Sequence, residues 1–430
     1  MKRNIYTELL KWKNDINKKP LLLQGARQVG KTFIIEQFGK TEYAELIKLN
    51  FEQNPGLRSL FQAELKPEKI ITNISLYLGK KIKTDNTLIF FDEIQVAPEA
   101  LTSLKYFQEE APAYHIIAAG SLLGVSVGKK NSFPVGKVNF LTMYPMTFSE
   151  YLIASGEEMI VENLHSKNDY SALPNIIHEK LLKHIKMYLF LGGMPEVLQD
   201  YLQNQDISSV REKQNDILEA YNRDFSKYTP KNNAIKISEI WQSIPYQLAK
   251  ENKKFKYNAV KKKARASTYD QAIEWLRKAG LVNVVYNLKK PRLPLGGYAD
   301  HAKFKLYFLD TGLLSAMLKL TSDIILKPTE LFSEYNGAFI ENFVASELIN
   351  NGYKDLYYWK YNNSAEVDFI INRNNQILPV EVKSGLNRNL RSLRSYAEKY
   401  NPELIIRCSP RNFVQQGNFI NMPLYAVDTI

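Results

Sequence analysis

The rhythm of hydrophobic and polar positions changes three times along the chain. Up to about residue 150, short apolar runs alternate with stretches of helical spacing. "PLLLQ" (20–24), "AELIKLNF" (44–51), "TLIFF" (87–91), "YHIIAAGS" (114–121) and a run within "KVNFLTMYPM" (137–146) predict strands. "TFIIEQFGK" and "PEALTSLKYFQEE" predict helices between them, the second opened by a proline in a helix-start position. Strands alternating with helices predict a parallel sheet covered on both faces, an α/β fold.

From 151 to 232 the pattern is helical throughout. "HEKLLKHIKMYLFLGGMPEVLQDYL" and "VREKQNDILEAYNRDF" read as amphipathic helices, with "GGMP" as a break, and predict a bundle. From 233 to 325 "AIKISEIWQSIPYQLAKE", "KYNAVKKKARAS" and "TYDQAIEWLRKAG" predict three helices. Strands "LVNVVYNL" and "KFKLYFLD" follow, joined by the basic turn "KKPRLPLGG". Three helices and a two-stranded wing match a winged helix-turn-helix. From 326 to 430 helix "EYNGAFIENFVASELINNG", strands "LYYWKYN", "AEVDFIINR", "QILPVEVKSG" and "ELIIRCS", and helix "NLRSLRSYAEKY" predict a second α/β unit. The domains expected are thus 1–150, 151–232, 233–325 and 326–430.

Composition sharpens this picture in a few places. A chain of 430 residues exceeds one ordinary domain. With 45% apolar and 24% charged residues, folded structure and not disorder is the expectation. Cys408 is the sole cysteine and cannot form an internal disulfide, and with five scattered histidines it cannot build a His/Cys zinc site. "MKRNIYTELLKWKND" lacks the apolar core of a signal peptide, which favours the cytoplasm. Residues 111–128, "APAYHIIAAGSLLGVSVG", carry no formal charge. Their two apolar runs, broken by glycines and serines, read as a strand and a turn, so no membrane span is expected.

Charge is unevenly placed. Residues 248–305 hold fifteen Lys and Arg against four Asp and Glu, and so carry +11 of the chain's +12. A concentrated basic segment points to an acidic partner, DNA first, although a solvated lysine face reads the same way. The phosphate contacts expected are Lys261, Lys262, Lys263, Lys289, Lys290 and Arg292, with Thr268, Tyr269 and Gln271 at the start of the would-be recognition helix. A packing module between two domains is the competing reading of that winged unit.

The sharpest chemical signal is "GARQVGKT", Gly25-Ala26-Arg27-Gln28-Val29-Gly30-Lys31-Thr32, followed by Phe33. The spacing G-x-x-x-x-G-K-[ST] needs glycines because the backbone must curl round phosphate oxygens that a Cβ would block. Lys31 would reach the β- and γ-phosphates, Thr32 would place its hydroxyl on Mg²⁺, and the helix that starts there would aim free N–H groups at the anion. "LIFFDE" adds Asp92 and Glu93 at the C-terminal edge of a strand, where ligands of open α/β sheets bind. Asp92 would hold Mg²⁺, and Glu93 would orient or deprotonate the attacking water. Ser121 ends the fourth strand and is either a γ-phosphate or water contact or a plain turn serine.

These stretches, with "IIAAGS" and "GKVNFLTMYPMTFSEYL", resemble an AAA+-type P-loop ATPase subfamily of bacteria and archaea that carries an uncharacterised C-terminal domain. The resemblance covers nearly the whole chain. It implies an ASCE-type P-loop NTPase sheet, ATP and Mg²⁺ as cofactors, Lys31 and Thr32 as nucleotide and metal contacts, Asp92 as Mg²⁺ support and Glu93 as the catalytic carboxylate. A ring-like oligomer is compatible with it. Gly136-Lys137 stands where such proteins often have Gly-Arg. Lysine is a point charge and lacks arginine's planar fork, so no finger role carries over to Lys137.

The C-terminal segment adds a second set of carboxylates. If the turn of "EVDFIINRNNQILPVEVKSG" centres on Arg373–Asn374, Asp368 lies opposite Pro379, and Asp368, Glu381 and Lys383 share one sheet face. Glu341, on the preceding helix, adds a third acid. Acid on a helix, Asp on one strand and Glu-x-Lys on the next resembles the PD-(D/E)XK nuclease fold, a restriction-endonuclease-like domain. That resemblance implies a divalent metal and phosphodiester attack. A surface ion pair on a sheet that only binds is the alternative. Two outputs therefore stand side by side: ATP-gated action on DNA, or a nucleotide-dependent switch with a non-catalytic C-terminal domain that binds nucleic acid or protein.

Overall fold

The computed structural model describes residues 1–62, 64–84, 86–121, 136–250, 253–323, 330–361, 365–385 and 390–430. The turn expected after Ser121 in "SLLGVSVG" lies outside the described residues. The chain forms two compact units: Lys2–Tyr144 with Lys278–Gly280, and Pro145–Arg277 with Leu281–Ile430 and Met1.

In the first unit the helices are α1 (Ile5–Asn14), α2 (Lys31–Glu42), α3 (Pro67–Leu78) and α4 (Pro98–Glu110). The strands are β1 (Leu21–Gln24), β2 (Glu45–Asn50), β3 (Thr87–Asp92), β4 (His115–Gly120) and β5 (Asn139–Thr142). They form one parallel sheet in the order β2-β3-β4-β1-β5. Every residue of β3 is buried, as expected of a strand covered on both faces. Ile89 and Phe91 pack with Leu22, Leu49, Ile70, Leu104 and Ile116 in one continuous core. The sheet order carries the functional geometry. β4 lies between β1 and β3, so the loop after β1, Ser121 after β4 and Asp92 at the end of β3 come to one edge of the sheet.

In the second unit the helices are α5 (Phe148–Ala154), α6 (Glu158–Ser166), α7 (Asn175–Leu191), α8 (Pro195–Asn204), α9 (Ile207–Tyr228), α10 (Lys231–Leu248), the single turn α11 (Tyr257–Val260), α12 (Ala266–Lys278), α13 (Thr311–Met317), α14 (Glu330–Asn350) and α15 (Arg391–Tyr400). The strands are β6 (Val282–Leu288), β7 (Ala299–Phe308), β8 (Tyr357–Tyr361), β9 (Ala365–Arg373), β10 (Gln376–Val382), β11 (Ile405–Ser409), β12 (Val414–Gln416) and β13 (Phe419–Pro423). They form one eight-stranded sheet, β12-β13-β11-β10-β9-β8-β6-β7.

That sheet differs from the sequence expectation. β6 and β7 pair as the predicted wing, but β6 also pairs in parallel with β8, so they form the edge of the C-terminal sheet. Strand partners far apart in sequence leave no local mark, and an alternating strand reads alike as a wing or a sheet edge. The helices ahead of the wing share an aromatic core with the bundle: Phe225 of α9 meets Trp241 of α10 and Trp275 of α12, and Trp241 lies 4.1 Å from the Phe308 ring of β7. The expected second helix, "KYNAVKKKARAS", is only one turn. Lys261 is extended and Lys263 has a left-handed φ of 68°.

The "GGMP" break also has a structural role. Gly192 takes φ 73°, and a Cβ there would lie 2.2 Å from the Asp310 carboxylate. Asp310 accepts from the backbone of Gly193 (2.5 Å) and of Leu313 (2.8 Å), capping α13 and tying it to the end of α7. Burial pushes its carboxyl up to about 6, against the pull of these backbone donors.

Candidate functional site

The glycine loop runs from β1 into α2. Gly25 has φ 151°, and any Cβ there would meet the Met143 carbonyl oxygen at 2.1 Å. Gly30, at φ 95°, is the left-handed entry to α2. Lys31 is buried, and its Nζ donates to the carbonyls of Gly25 (2.9 Å) and Ala26 (2.7 Å). Burial lowers its pKa to about 8, partly opposed by Glu93 and Asp92. Arg3 braces the loop from outside the motif, donating to Val29 O (3.0 Å) and Tyr144 O (2.8 Å). Arg27 pairs with Glu52 at 4.0 Å, while Phe33 exposes its ring. Gln28 holds φ 64° in the curl.

The Thr32 hydroxyl donates to Asp92 Oδ1 at 3.1 Å. The other Asp92 oxygen takes Asn50 Nδ2 (3.0 Å) and Lys48 Nζ (3.1 Å). Sequence reading missed Lys48 and Asn50. Their only signal is position, since they end β2 and Asn50 lies in register with Asp92. A hydroxyl and a carboxylate converging in this way are hard oxygen donors that fit Mg²⁺. Glu93 takes a left-handed φ of 52°, rare for a non-glycine residue, and accepts from Gln95 at 2.5 Å. Ser121 is buried, and its hydroxyl has no hydrogen-bond partner among the described residues. Lys137 is engaged elsewhere, 3.0 Å from Glu109.

Strand order, glycine curl and the Thr32–Asp92 link together make a parallel-sheet P-loop NTPase fold. Residues 17–152 match the family model described as "AAA domain". Residues 182–324 and 336–426 match two models described as domains of unknown function, DUF8612 and DUF4143. The comparison with curated proteins found no match.

Among solved structures, Caenorhabditis elegans PCH-2 aligns at 13% identity and TM-score 0.29, over 46% of this chain and 61% of that one. Aeropyrum pernix ORC1 in complex with DNA aligns at 12% and 0.30, over 74% and 93%. AMPPCP-bound DnaA from Aquifex aeolicus aligns at 14% and 0.29, over 64% and 88%.

In the second unit the predicted acids do approach one another, though in a different setting. β9 and β10 pair with Arg373 opposite Gln376, so the turn is Asn374–Asn375 and not Arg373–Asn374. Both asparagines take φ above 50°, which Asn tolerates better than Arg. The shift is two residues, so Asp368, Glu381 and Lys383 keep their shared face. Continuing the register sets Asp368 across from Glu381, not Pro379.

Lys305 of β7, fully buried, reaches into this cluster. Its Nζ lies 2.7 Å from Glu366, 3.6 Å from Asp368 and 3.7 Å from Glu341. Lys253 also pairs with Glu341, and Tyr307 donates to it at 3.0 Å. Lys383 pairs with Glu381 at 2.9 Å and Lys360 with Glu366 at 2.9 Å. Burial works against every charge here. Lys253 and Lys305 nevertheless hold the Glu341 carboxyl below its usual range, and Lys305 holds Glu366 at about 2. Burial and the neighbouring Glu341 push Asp368 up to about 7. Among the described residues, no group of three or more His, Cys, Asp or Glu is disposed to hold a metal ion. Glu341, Asp368 and Glu381 are each taken up by a lysine, so the expected acids do not converge as the set of three oxygen ligands that a divalent metal would need.

The basic segment divides. Lys305 is buried and Lys253 is half-buried against Glu341, so both leave the surface patch. Lys261, Lys262 and Lys263 line a small pocket of about 360 Å³ with Lys236, and Lys261 also pairs with Glu239 at 3.2 Å. Tyr269 is buried with its hydroxyl donated to Glu239, so it cannot read a base edge. Thr268 stays exposed. Lys289, Lys290 and Arg292 are exposed between β6 and β7. Among the described residues no helix is long and apolar enough to cross a membrane.

Proposed function

We propose that this protein is a Mg²⁺-dependent ATPase whose nucleotide state governs binding of nucleic acid by the rest of the chain, with a C-terminal α/β layer that binds and does not cut. The observation that carries the ATPase reading is the Thr32–Asp92 contact beside a buried Lys31. In this reading the backbone from Gly25 to Gly30 wraps the triphosphate. Lys31 leaves the Gly25 and Ala26 carbonyls for the β- and γ-phosphates, an exchange of neutral acceptors for anionic ones. Thr32 and Asp92 hold Mg²⁺, which supplies neutralisation of phosphate charge. Glu93 would position and deprotonate the attacking water, and the Ser121 hydroxyl, without a hydrogen-bond partner among the described residues, would be free to contact the γ-phosphate or that water. Lys31→Ala is expected to abolish nucleotide binding, and Glu93→Gln to bind ATP without turning it over. Hydrolysis by Glu93→Gln at the parent rate would remove Glu93 as the base.

The non-catalytic reading of the C-terminal layer rests on Lys305 among the acids. One observation favours nuclease activity instead: Glu381 Oε2 is buried without a hydrogen-bond partner among the described residues. Incubation with plasmid and linear DNA, with Mg²⁺ or Mn²⁺, separates the two. Cleavage that disappears in Glu381→Ala establishes the nuclease, and intact DNA supports the binding role.

A further inference from the structure

Beyond the lysines of 261–263, a second anionic-ligand site can be read from the tip of the β9–β10 hairpin. There a pocket of about 660 Å³ is lined by residues from three separate parts of the chain. Arg292 comes from the segment between β6 and β7, Arg373 from the end of β9, and Lys399 from the last turn of α15. Glu403 is the one carboxylate in the lining, and it already accepts from Gln376. Neither Arg292 nor Arg373 has an ion-pair or hydrogen-bond partner among the described residues. Two guanidiniums facing one cavity without carboxylates of their own leave their donor forks available to phosphate oxygens.

The pocket is not polar throughout. Its apolar lining includes the buried Leu378 and Tyr396 and the half-buried Ile377 and Tyr400. The Tyr400 ring is fixed by an edge contact to Trp359 (5.7 Å) and a tilted one to Tyr396 (4.9 Å). Lys399 bridges Tyr361 and Tyr400, its Nζ 3.8 Å and 5.6 Å from their ring centroids. A braced aromatic wall beside unpaired arginines is the combination that holds single-stranded nucleic acid. Bases stack on the ring without sequence preference, and the cations follow the backbone. The volume lies in the range of small-ligand sites, room for one or two nucleotides.

We infer that this pocket binds single-stranded nucleic acid, its backbone on Arg292 and Arg373 and a base against Tyr400. The inference extends the nucleic-acid part of the proposed function but uses different residues. Lys289 and Lys290, three and two residues before Arg292, are exposed but do not line the pocket.

The test is fluorescence anisotropy of the full chain with labelled dT10, a ten-base-pair duplex and an oligo-glutamate peptide, over a range of salt. Arg292→Ala/Arg373→Ala is expected to weaken dT10 binding about tenfold or more, and to make the salt slope shallower by about 1 to 1.5. Tyr400→Ala should weaken dT10 without changing that slope, since a stacking contact releases no counterion. Both variants alter side chains that are exposed or half-exposed, and unchanged ATP turnover and urea midpoint verify their folding. Lys262→Ala/Lys263→Ala reports on the other basic surface. If it abolishes duplex binding and leaves dT10 intact, the two sites are separate. Unchanged dT10 affinity in the arginine variant overturns the inference while leaving the ATPase and duplex readings standing. A preference for oligo-glutamate over dT10 overturns it in favour of an acidic protein partner.

Discussion

The Lys305 ammonium lies 2.7 Å from Glu366 Oε1 in the interior of the second unit, fully shielded from water. The cluster around it contains four carboxylates, Glu341, Glu366, Asp368 and Glu381, and four ammonium groups, Lys253, Lys305, Lys360 and Lys383. Charges buried at such density persist only when they are paired. The sheet brings this about by crossing: Lys305 is on β7 and its acids are on β9 and α14.

Removing Lys305 should therefore be costly. Lys305→Met takes the ammonium shared by Glu366, Asp368 and Glu341, leaving Glu366 with Lys360 alone and Glu341 with Lys253 alone, and a loss of about 3–5 kcal/mol is expected in urea unfolding. Adding Glu366→Gln should recover part of it by lowering the negative charge left around the removed ammonium. A single variant with the parent's midpoint would mean that water or rearrangement already satisfies these acids.

Nucleotide binding should depend on pH through Lys31. Its pKa near 8 in the free protein means that the ammonium is present below pH 8 and lost above it. Phosphate stabilises the charged form, so the bound pKa is higher, and affinity falls as pH rises past 8. Calorimetry with ATP and Mg²⁺ from pH 7 to 9.5 should show up to a tenfold loss per unit in the upper range, for one proton taken up. A flat profile above pH 8 would contradict the buried environment assigned to Lys31.

Asp310 gives the fold its own pH dependence. Its carboxyl titrates near 6 in the folded chain, above its ordinary value of 3.8. Folding therefore favours the protonated form. The associated stability is fully present below pH 3.8 and is lost as pH rises through 6, a difference of about 3 kcal/mol. Asp310→Asn cannot ionise, but Gly193 and Leu313 donate to different carboxylate oxygens, so the variant keeps an acceptor for one amide and turns an NH2 towards the other. The parent's lead in urea midpoint over the variant should be largest at low pH and should shrink as pH rises through 6, because only the parent titrates. A constant gap across that range would show that Asp310 does not titrate there.

The amino-acid sequence was enough for whatever depends on near neighbours. The glycine curl needs two backbone conformations that glycines supply, and the motif states them directly. Continuous apolar runs announce buried parallel strands, and Asp92-Glu93 at the end of one points to the sheet edge where phosphates bind. Asp368, Glu381 and Lys383 could be assigned to one face because strand side chains alternate, and a register error of two residues leaves that parity unchanged. Tertiary structure decided what depends on residues distant in the chain. Asn50 and Lys48 reach Asp92 because β2 pairs with β3, and Arg3 reaches the loop from the chain's start. β6 and β7 belong to the C-terminal sheet because β6 finds β8. Above all, Lys305 looked like one more surface lysine in a basic segment. Only the pairing of strands turned it inward among the acids, since the charges that hold a buried lysine lie far along the chain and leave no pattern around it.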